Sequence, residues 1–408
     1  VSPEKYKASH PEWFGDYQPD ITNPEVIAVA VETLGKEIEA RPNQPLYSFP
    51  VSANDGGGFK EKPFNPEVGN IAAQQLYFAN EIARGLRARY PGRHFTVGTL
   101  GYWYSHRGPE PMLKAEPEVV VLMVNEGNHA KPVTWPESAE VAQSTGRNNT
   151  REMNAFRQWK QTGGLKGIYE WWIPAISNIT WQEIPWYDGS TAVSNLRYWH
   201  RNGIRYVDYE SQKELNDGFP LRWAQYYIGA RAMWNPDIDP HQELLQACRK
   251  LFGAAANTML HFYSLQERAM RETKELVGNW ALPLPHLLYT PQIEDEGETL
   301  LLKALAQEKS GEAHTRIAIE TKQWMRLRKL NAKARAENQK VFEVIVNGVS
   351  MNWNKQFVDL ATVVDLADLP AGTKLQVLER DGQNRTALKG ETYDLESGVT
   401  FRPITSPE

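Results

Sequence analysis

The stretch P-E-V-V-V-L-M-V-N-E-G-N-H, Pro117 to His129, decides how the chain is read. Its apolar run from Val119 to Val124 shows no polar alternation and is too short for a helix of ordinary length. That pattern suits a strand buried on both faces in a parallel sheet. The run stops abruptly at Asn125-Glu126-Gly127, so a carboxylate sits where the strand ends.

The same rhythm extends in both directions. Upstream, Thr22-Asn23-Pro24 reads as a cap with proline just inside a helix. A short strand, L-Y-S-F-P-V-S, then runs into Asn54-Asp55 and three glycines. The helix I-A-A-Q-Q-L-Y-F-A-N-E-I-A-R follows, and then the strand R-H-F-T-V-G-T-L-G, which closes in Tyr102, Trp103, Tyr104 and His106. Downstream, G-L-K-G-I-Y-E-W-W delivers Tyr169, Glu170, Trp171 and Trp172, and I-R-Y-V-D-Y-E delivers Asp208 and Glu210. Strands alternating with helices over the first 215 residues predict an α/β fold, either a (β/α)8 barrel or a doubly wound sheet. No G-x-G-x-x-G and no G-x-x-x-x-G-K-[ST] follows a strand, whereas acids recur at successive strand ends: Asp55, Glu126, Glu170 and Glu210. In a barrel all those ends meet at one mouth, so the barrel is the expectation. Residues 219–276 and 294–339 read as helical, and the last seventy residues as short antiparallel strands with D-G turns. The expected division is a barrel-like domain over 1–275, a helical segment over 276–340 and a small β appendage over 341–408.

Composition narrows the function. With 45 basic and 50 acidic side chains the net charge is −5, which draws neither nucleic acid nor anionic lipid. No apolar run approaches the roughly 18 residues that span a bilayer, so no membrane insertion is expected. The single cysteine, Cys248, rules out an internal disulfide and a cysteine-based zinc site, and its helical context reads as core filler. His106 and His129 lie just beyond strand ends without metal-ligand spacing, so neither metal nor cofactor is expected. No G-x-S-x-G elbow supports a serine nucleophile. Asp237 and Asp239 read as caps of the helix near His241. The chain holds 14 Trp, 17 Tyr and 13 Phe, many between Tyr102 and Trp234. Rings with a polar edge suit either a Trp-rich core or a cleft that stacks on sugar rings. Two carboxyl groups facing each other across such a cleft are what glycosidic hydrolysis requires. A carboxyl lined by rings, as Glu170 is between Tyr169 and Trp171, has its pKa raised toward that of a working acid.

Six motifs occur in an order that resembles one family: H-P-E-W-F (His10–Phe14), T-N-P-E-V (Thr22–Val26), S-A-N-D-G-G-G (Ser52–Gly58), L-Y-F-A-N-E-I-A-R (Leu76–Arg84), A-M-W-N-P-D-I-D (Ala232–Asp239) and L-F-G-A-A-A (Leu251–Ala256). Over roughly residues 6–275 the chain resembles glycoside hydrolase family 163, and more distantly α-glucuronidase barrels. The resemblance implies a (β/α)8 barrel with endo-β-N-acetylglucosaminidase activity on N-glycans, in which the substrate's acetamide oxygen serves as nucleophile. It implies Asp55 as the loop acid and Glu170 as the acid at the tyrosine-bearing strand end, with the roles of proton donor and acetamide orienter open between them; Glu170 as donor and Asp55 as orienter is the working assignment, with Glu126 and Glu210 as substitutes. Asn54, Tyr102, Trp103, Tyr104, His106, Asn125, His129, Tyr169, Trp171, Trp172 and Asp208 are the expected sugar contacts. In the family H-P-E-W-F stands later, so the chain is expected to lack about three barrel strands and to have open sheet edges. The loop after Asp55 also departs, carrying no cysteines. A non-catalytic carbohydrate-binding barrel and an α-glucuronidase-like hydrolase are the alternatives; the latter requires Arg107 or Arg205 in the pocket. A glycan substrate points to an extracellular or periplasmic protein, and Val1 in place of Met fits a processed chain.

Overall fold

The computed structural model describes residues 1–15, 18–54, 65–135, 148–171, 184–210, 219–277, 285–336, 342–353, 357–370, 372–379, 384–388, 391–395 and 398–404. Asp55 and Trp172 lie outside the described residues, and Glu210 is described by its backbone alone.

Five strands, β1 (Tyr47–Pro50), β2 (Phe95–Gly101), β3 (Val119–Asn125), β4 (Leu165–Trp171) and β5 (Tyr206–Glu210), form one sheet in chain order. Every neighbouring pair is parallel. A doubly wound sheet reverses its strand order at a switch point, and this one does not. The strands and their crossovers make a half-barrel with all C-terminal ends on one side. Helix α1 (Pro24–Ala40) precedes β1, α2 (Ile71–Arg89) links β1 to β2, α3 (Asn149–Gln161) links β3 to β4, and α4 (Gly189–Arg201) links β4 to β5. Each begins on a side-chain cap: Asn23 accepts from the Glu25 N–H, Asn70 from Ala73, Asn148 from Arg151 and Asp188 from Thr191. Such a cap stabilises a helix by about 1 kcal/mol.

Alternation along the strands sorts the sheet into two faces. Val97, Val121, Met123 and Ile168 face the helices and join Leu76, Leu86, Phe156, Trp159 and Trp199 in one core. Each fully buried large side chain contributes about 1.5–3 kcal/mol there. Beyond the end of β1 the Gln18 side chain takes both backbone groups of Asn54: its amide N–H donates to the Asn54 carbonyl at 2.8 Å, and its oxygen accepts from the Asn54 N–H at 3.1 Å.

After β5 the chain is helical: α5 (Trp223–Trp234), α6 (Pro240–Phe252), α7 (Ala256–Glu272), α8 (Pro291–Gln307) and α9 (Gly311–Ala336). Asp239 caps α6 as expected, accepting from the His241 and Gln242 N–H groups, while Asp237 pairs with Arg197 at 3.6 Å. Phe252, Met259, Phe262, Trp324 and Leu327 share one core with Val193 and Leu196 of α4. The expected separate segment over 276–340 is therefore continuous with the helices before it, because its apolar faces are buried against theirs. None of the described helices is long and apolar enough to cross a membrane.

The C-terminal region holds β6 (Phe342–Val346), β7 (Val349–Trp353), β8 (Phe357–Asp359), α10 (Leu360–Leu366), β9 (Leu375–Leu378), β10 (Asn384–Thr386), β11 (Thr392–Asp394) and β12 (Thr400–Pro403). Val344, Leu375, Val377 and Phe401 centre a core built from this module's own residues. The expected antiparallel pairing holds for β6 with β7, β8 with β11, and β9 with β10 and β12. β12 departs from it by pairing parallel with β6.

Candidate active site

A cleft of about 230 Å³ opens at the C-terminal ends of β1 to β4. Ser52, Ala53 and Asn54 leave β1 into its wall; Leu100 and the Tyr102–Ser105 turn come from β2, Val124 from β3, and Tyr169 and Trp171 from β4. Ile71 and Gln75 of α2 complete it. All of these side chains are uncharged, and five carry aromatic rings.

The turn after β2 is the most constrained part. Trp103 has φ +51°, a left-handed conformation costly for a bulky residue and met mainly where function holds it. The Ser105 hydroxyl locks the turn by donating to the carbonyls of Leu100 and Tyr102, at 2.8 and 2.9 Å, and accepting from the Tyr102 N–H. From the helix layer, the Trp159 indole donates to the carbonyls of Ser105 and His106. Only glycine fits at 101, because a Cβ there would lie 2.7 Å from that indole nitrogen.

Behind the strand ends lies a buried polar network. His106 Nε2 and Glu152 Oε2 of α3 are 2.9 Å apart, both fully buried. Burial pushes Glu152 up, but His106, Arg151 and the backbone N–H of Glu126 outweigh it and hold the carboxyl below its ordinary range. Glu170 accepts from Asn125 Nδ2 at 2.9 Å and from the Trp199 indole of α4 at 2.7 Å. Its pKa is raised to about 7, because burial and the neighbouring Glu152 charge outweigh those two donors.

This geometry sorts the expected residues. Asn54, Tyr102, Trp103, Tyr104, Tyr169 and Trp171 line the cleft. Strand alternation turns Glu170 the opposite way from its neighbours Tyr169 and Trp171, onto the helix-facing side with Asn125 and His106. Glu126 is fully buried beside that network. His129 is buried, its N–H donating to the Val277 carbonyl. Asp208 is exposed on the edge strand, paired in register with Tyr169, and Glu210 is paired with Trp171. Trp residues divide between both readings of the composition: Trp103 and Trp171 are in the cleft, while Trp159, Trp199 and Trp324 are fully buried.

Sequence patterns passed over Gln75, Glu152 and Trp199. Gln75 Oε1 and the Trp171 indole N–H lie buried in the cleft wall without a partner among the described residues, a combination that no local pattern announces. Glu152 reads locally as an acid in the first turn of a helix, and its partner His106 is 46 positions away. Among the described residues no three His, Cys, Asp or Glu side chains come together as a metal would require.

No curated protein matches the chain. Residues 1–264 match the family described as Domain of unknown function (DUF4838), a span that contains the whole half-barrel sheet and the cleft. Since that match takes in well over half of the 408 residues, the chain belongs to the DUF4838 family.

Proposed function

We propose that the chain is a glycoside hydrolase acting on glycans that contain N-acetylglucosamine, with the cleft as its sugar site. The observation that carries this reading is an uncharged, ring-walled cleft at the C-terminal ends of parallel strands; in the sequence Asp55 comes directly after cleft-lining Asn54. Aromatic faces stack on the C–H faces of sugar rings, and the strand ends are where barrel enzymes keep their chemistry. In this reading the five strands are five of the eight of a (β/α)8 barrel. The resemblance to glycoside hydrolase family 163 supplies the substrate class and the substrate-assisted route, and a polymeric glycan substrate places the protein outside the cell or in the periplasm.

The geometry redistributes the roles of the acids. A proton donor must reach the glycosidic oxygen, and the carboxyl of Glu170 is turned into the helix layer with both oxygens engaged. Glu170 in this account holds the ends of β3 and β4 together. Asp55, which follows cleft-lining Asn54, becomes the first candidate for chemistry in the cleft, with Glu210 as its partner, while Glu126, fully buried beside the Glu170 network, is no better placed than Glu170. A uronic-acid substrate is less well served: Arg107 pairs with Asp368 at 3.0 Å, and Arg205 donates to the carbonyls of His200 and Ile204.

Mass spectrometry of the products formed from an N-glycoprotein tests the reading. Glycans cut within the chitobiose core by the wild type, lost in Asp55→Asn and retained in Arg205→Gln, are expected. No product from a broad glycan panel, with binding retained, would make the cleft a binding site without catalysis.

A further inference from the structure

We propose that Asp368 of the C-terminal β module is a positioning residue for the lip of the cleft, clasping Arg107 and Arg151 so that the two segments carrying His106 and Glu152 stay in register. One carboxylate oxygen, Oδ2, lies 3.0 Å from Arg107 Nη2, and the other, Oδ1, lies 3.4 Å from Arg151 Nη2. Arg107 stands two residues beyond Ser105, the last cleft-lining residue of the turn after β2, and Arg151 stands in the first turn of α3. Their chain neighbours, His106 and Glu152, form the buried pair behind the strand ends. One side chain from the module thus grips both segments from outside, while the His106–Glu152 contact joins them from within.

The local backbone of Asp368 is a second, independent observation. The Leu369 N–H donates to the Val364 carbonyl and the Asp368 N–H to the Asp365 carbonyl, both at 3.0 Å, which is the closing pattern of a helix whose next residue is left-handed. Asp368 has φ +50°, where glycine is the usual occupant. The chain keeps a carboxylate at a position that local geometry would give to glycine, and that carboxylate holds the two arginines. Departures from local preference of this kind concentrate where a side chain serves something beyond its own element. The module has its own core, so the clasp ties a separately packed unit to the cleft.

The consequence for catalysis rests on the glycan reading above; the clasp does not, and its test needs no substrate. Asp368→Asn keeps a residue that tolerates the left-handed backbone and removes the charge, whereas Asp368→Gly relaxes the backbone and removes the side chain. In both variants amides in 102–107 and 148–153 are expected to exchange with solvent about tenfold faster, with exchange in β6 and β9 unchanged. The ring 15N signals of His106, assigned through His106→Gln, shift in the same variants. Wild type in 1 M salt, which screens the Asp368 pair with the largely exposed Arg107 most, moves in the same direction. Unchanged exchange and unchanged His106 signals in both variants would overturn the proposal, as would a uniform rise in exchange over the whole chain.

Discussion

The indole N–H of Trp199 donates to Oε1 of Glu170 across 2.7 Å, so a helix-layer tryptophan holds the carboxyl at the end of β4. The bond holds in the helix layer a carboxyl that strand alternation has already turned away from the two cleft-lining rings beside it. It also keeps a fully buried carboxyl from being raised further than about 7.

That raised pKa makes stability fall with pH. Between the unfolded value of 4.5 and about 7 the folded chain holds a proton that the unfolded chain releases. The stability from protonated Glu170 is complete below 4.5 and is lost as pH rises to about 7, amounting to about 3 kcal/mol over that window. Urea denaturation at pH 4.5 and pH 8 should show this decrement in the wild type and not in Glu170→Gln.

Removing Trp199's donor should raise the carboxyl's pKa above its present value. In Trp199→Phe one stabiliser of the charged form is gone, and an orphaned acceptor costs about 1–3 kcal/mol when ionised. A 13C titration of the labelled carboxyl reads the upward shift. A downward shift would mean that the indole favours the neutral acid.

Glu152→Gln should act on Glu170 in the opposite direction. Its charge helps to raise Glu170, so neutralising it lowers the Glu170 pKa. Breaking a buried pair with His106 also costs about 3–5 kcal/mol in thermal or chemical denaturation. Loss of stability with no movement of the Glu170 titration would separate the two residues.

How far the sequence could be read follows from the range of each signal. The five strands, their capped helices and the Asp239 cap were legible because apolar periodicity and capping residues are local. In the run Val119–Val124, Val119, Val121 and Met123 are buried against the helices, whereas Val120 and Leu122 on the other face are only half-buried and Val124 lines the cleft, so the expected burial on both faces holds in part. The side on which Glu170 would fall was not legible. Alternation assigns Tyr169 and Trp171 to one face and Glu170 to the other, but which face is the cleft depends on where α3 and α4 pack. The left-handed Trp103 and the Gln18–Asn54 contact were hidden for a related reason, since tertiary packing imposes both.

Trp103→Gly separates the ring from the backbone it strains. The glycine relieves a left-handed conformation worth about 1–2 kcal/mol, so thermal stability should hold or rise. Loss of one stacked ring should weaken oligosaccharide binding by about tenfold, measured by calorimetry. Equal binding by both proteins would remove Trp103 from the sugar site.

Cys248 should be inert in the native state. Burial pushes its thiol up to about 12, which leaves almost no thiolate at neutral pH. A chromogenic thiol reagent should give no reaction with the folded chain and one equivalent after denaturation.

The most direct measurement is a crystal structure of Asp55→Asn soaked with an N-acetylglucosamine oligosaccharide. Sugar rings stacked between Trp103 and the Tyr169–Trp171 wall, with the glycosidic oxygen facing the Asn54 loop, are the expected result. Sugar seated on the C-terminal β module, with the cleft empty, would contradict it.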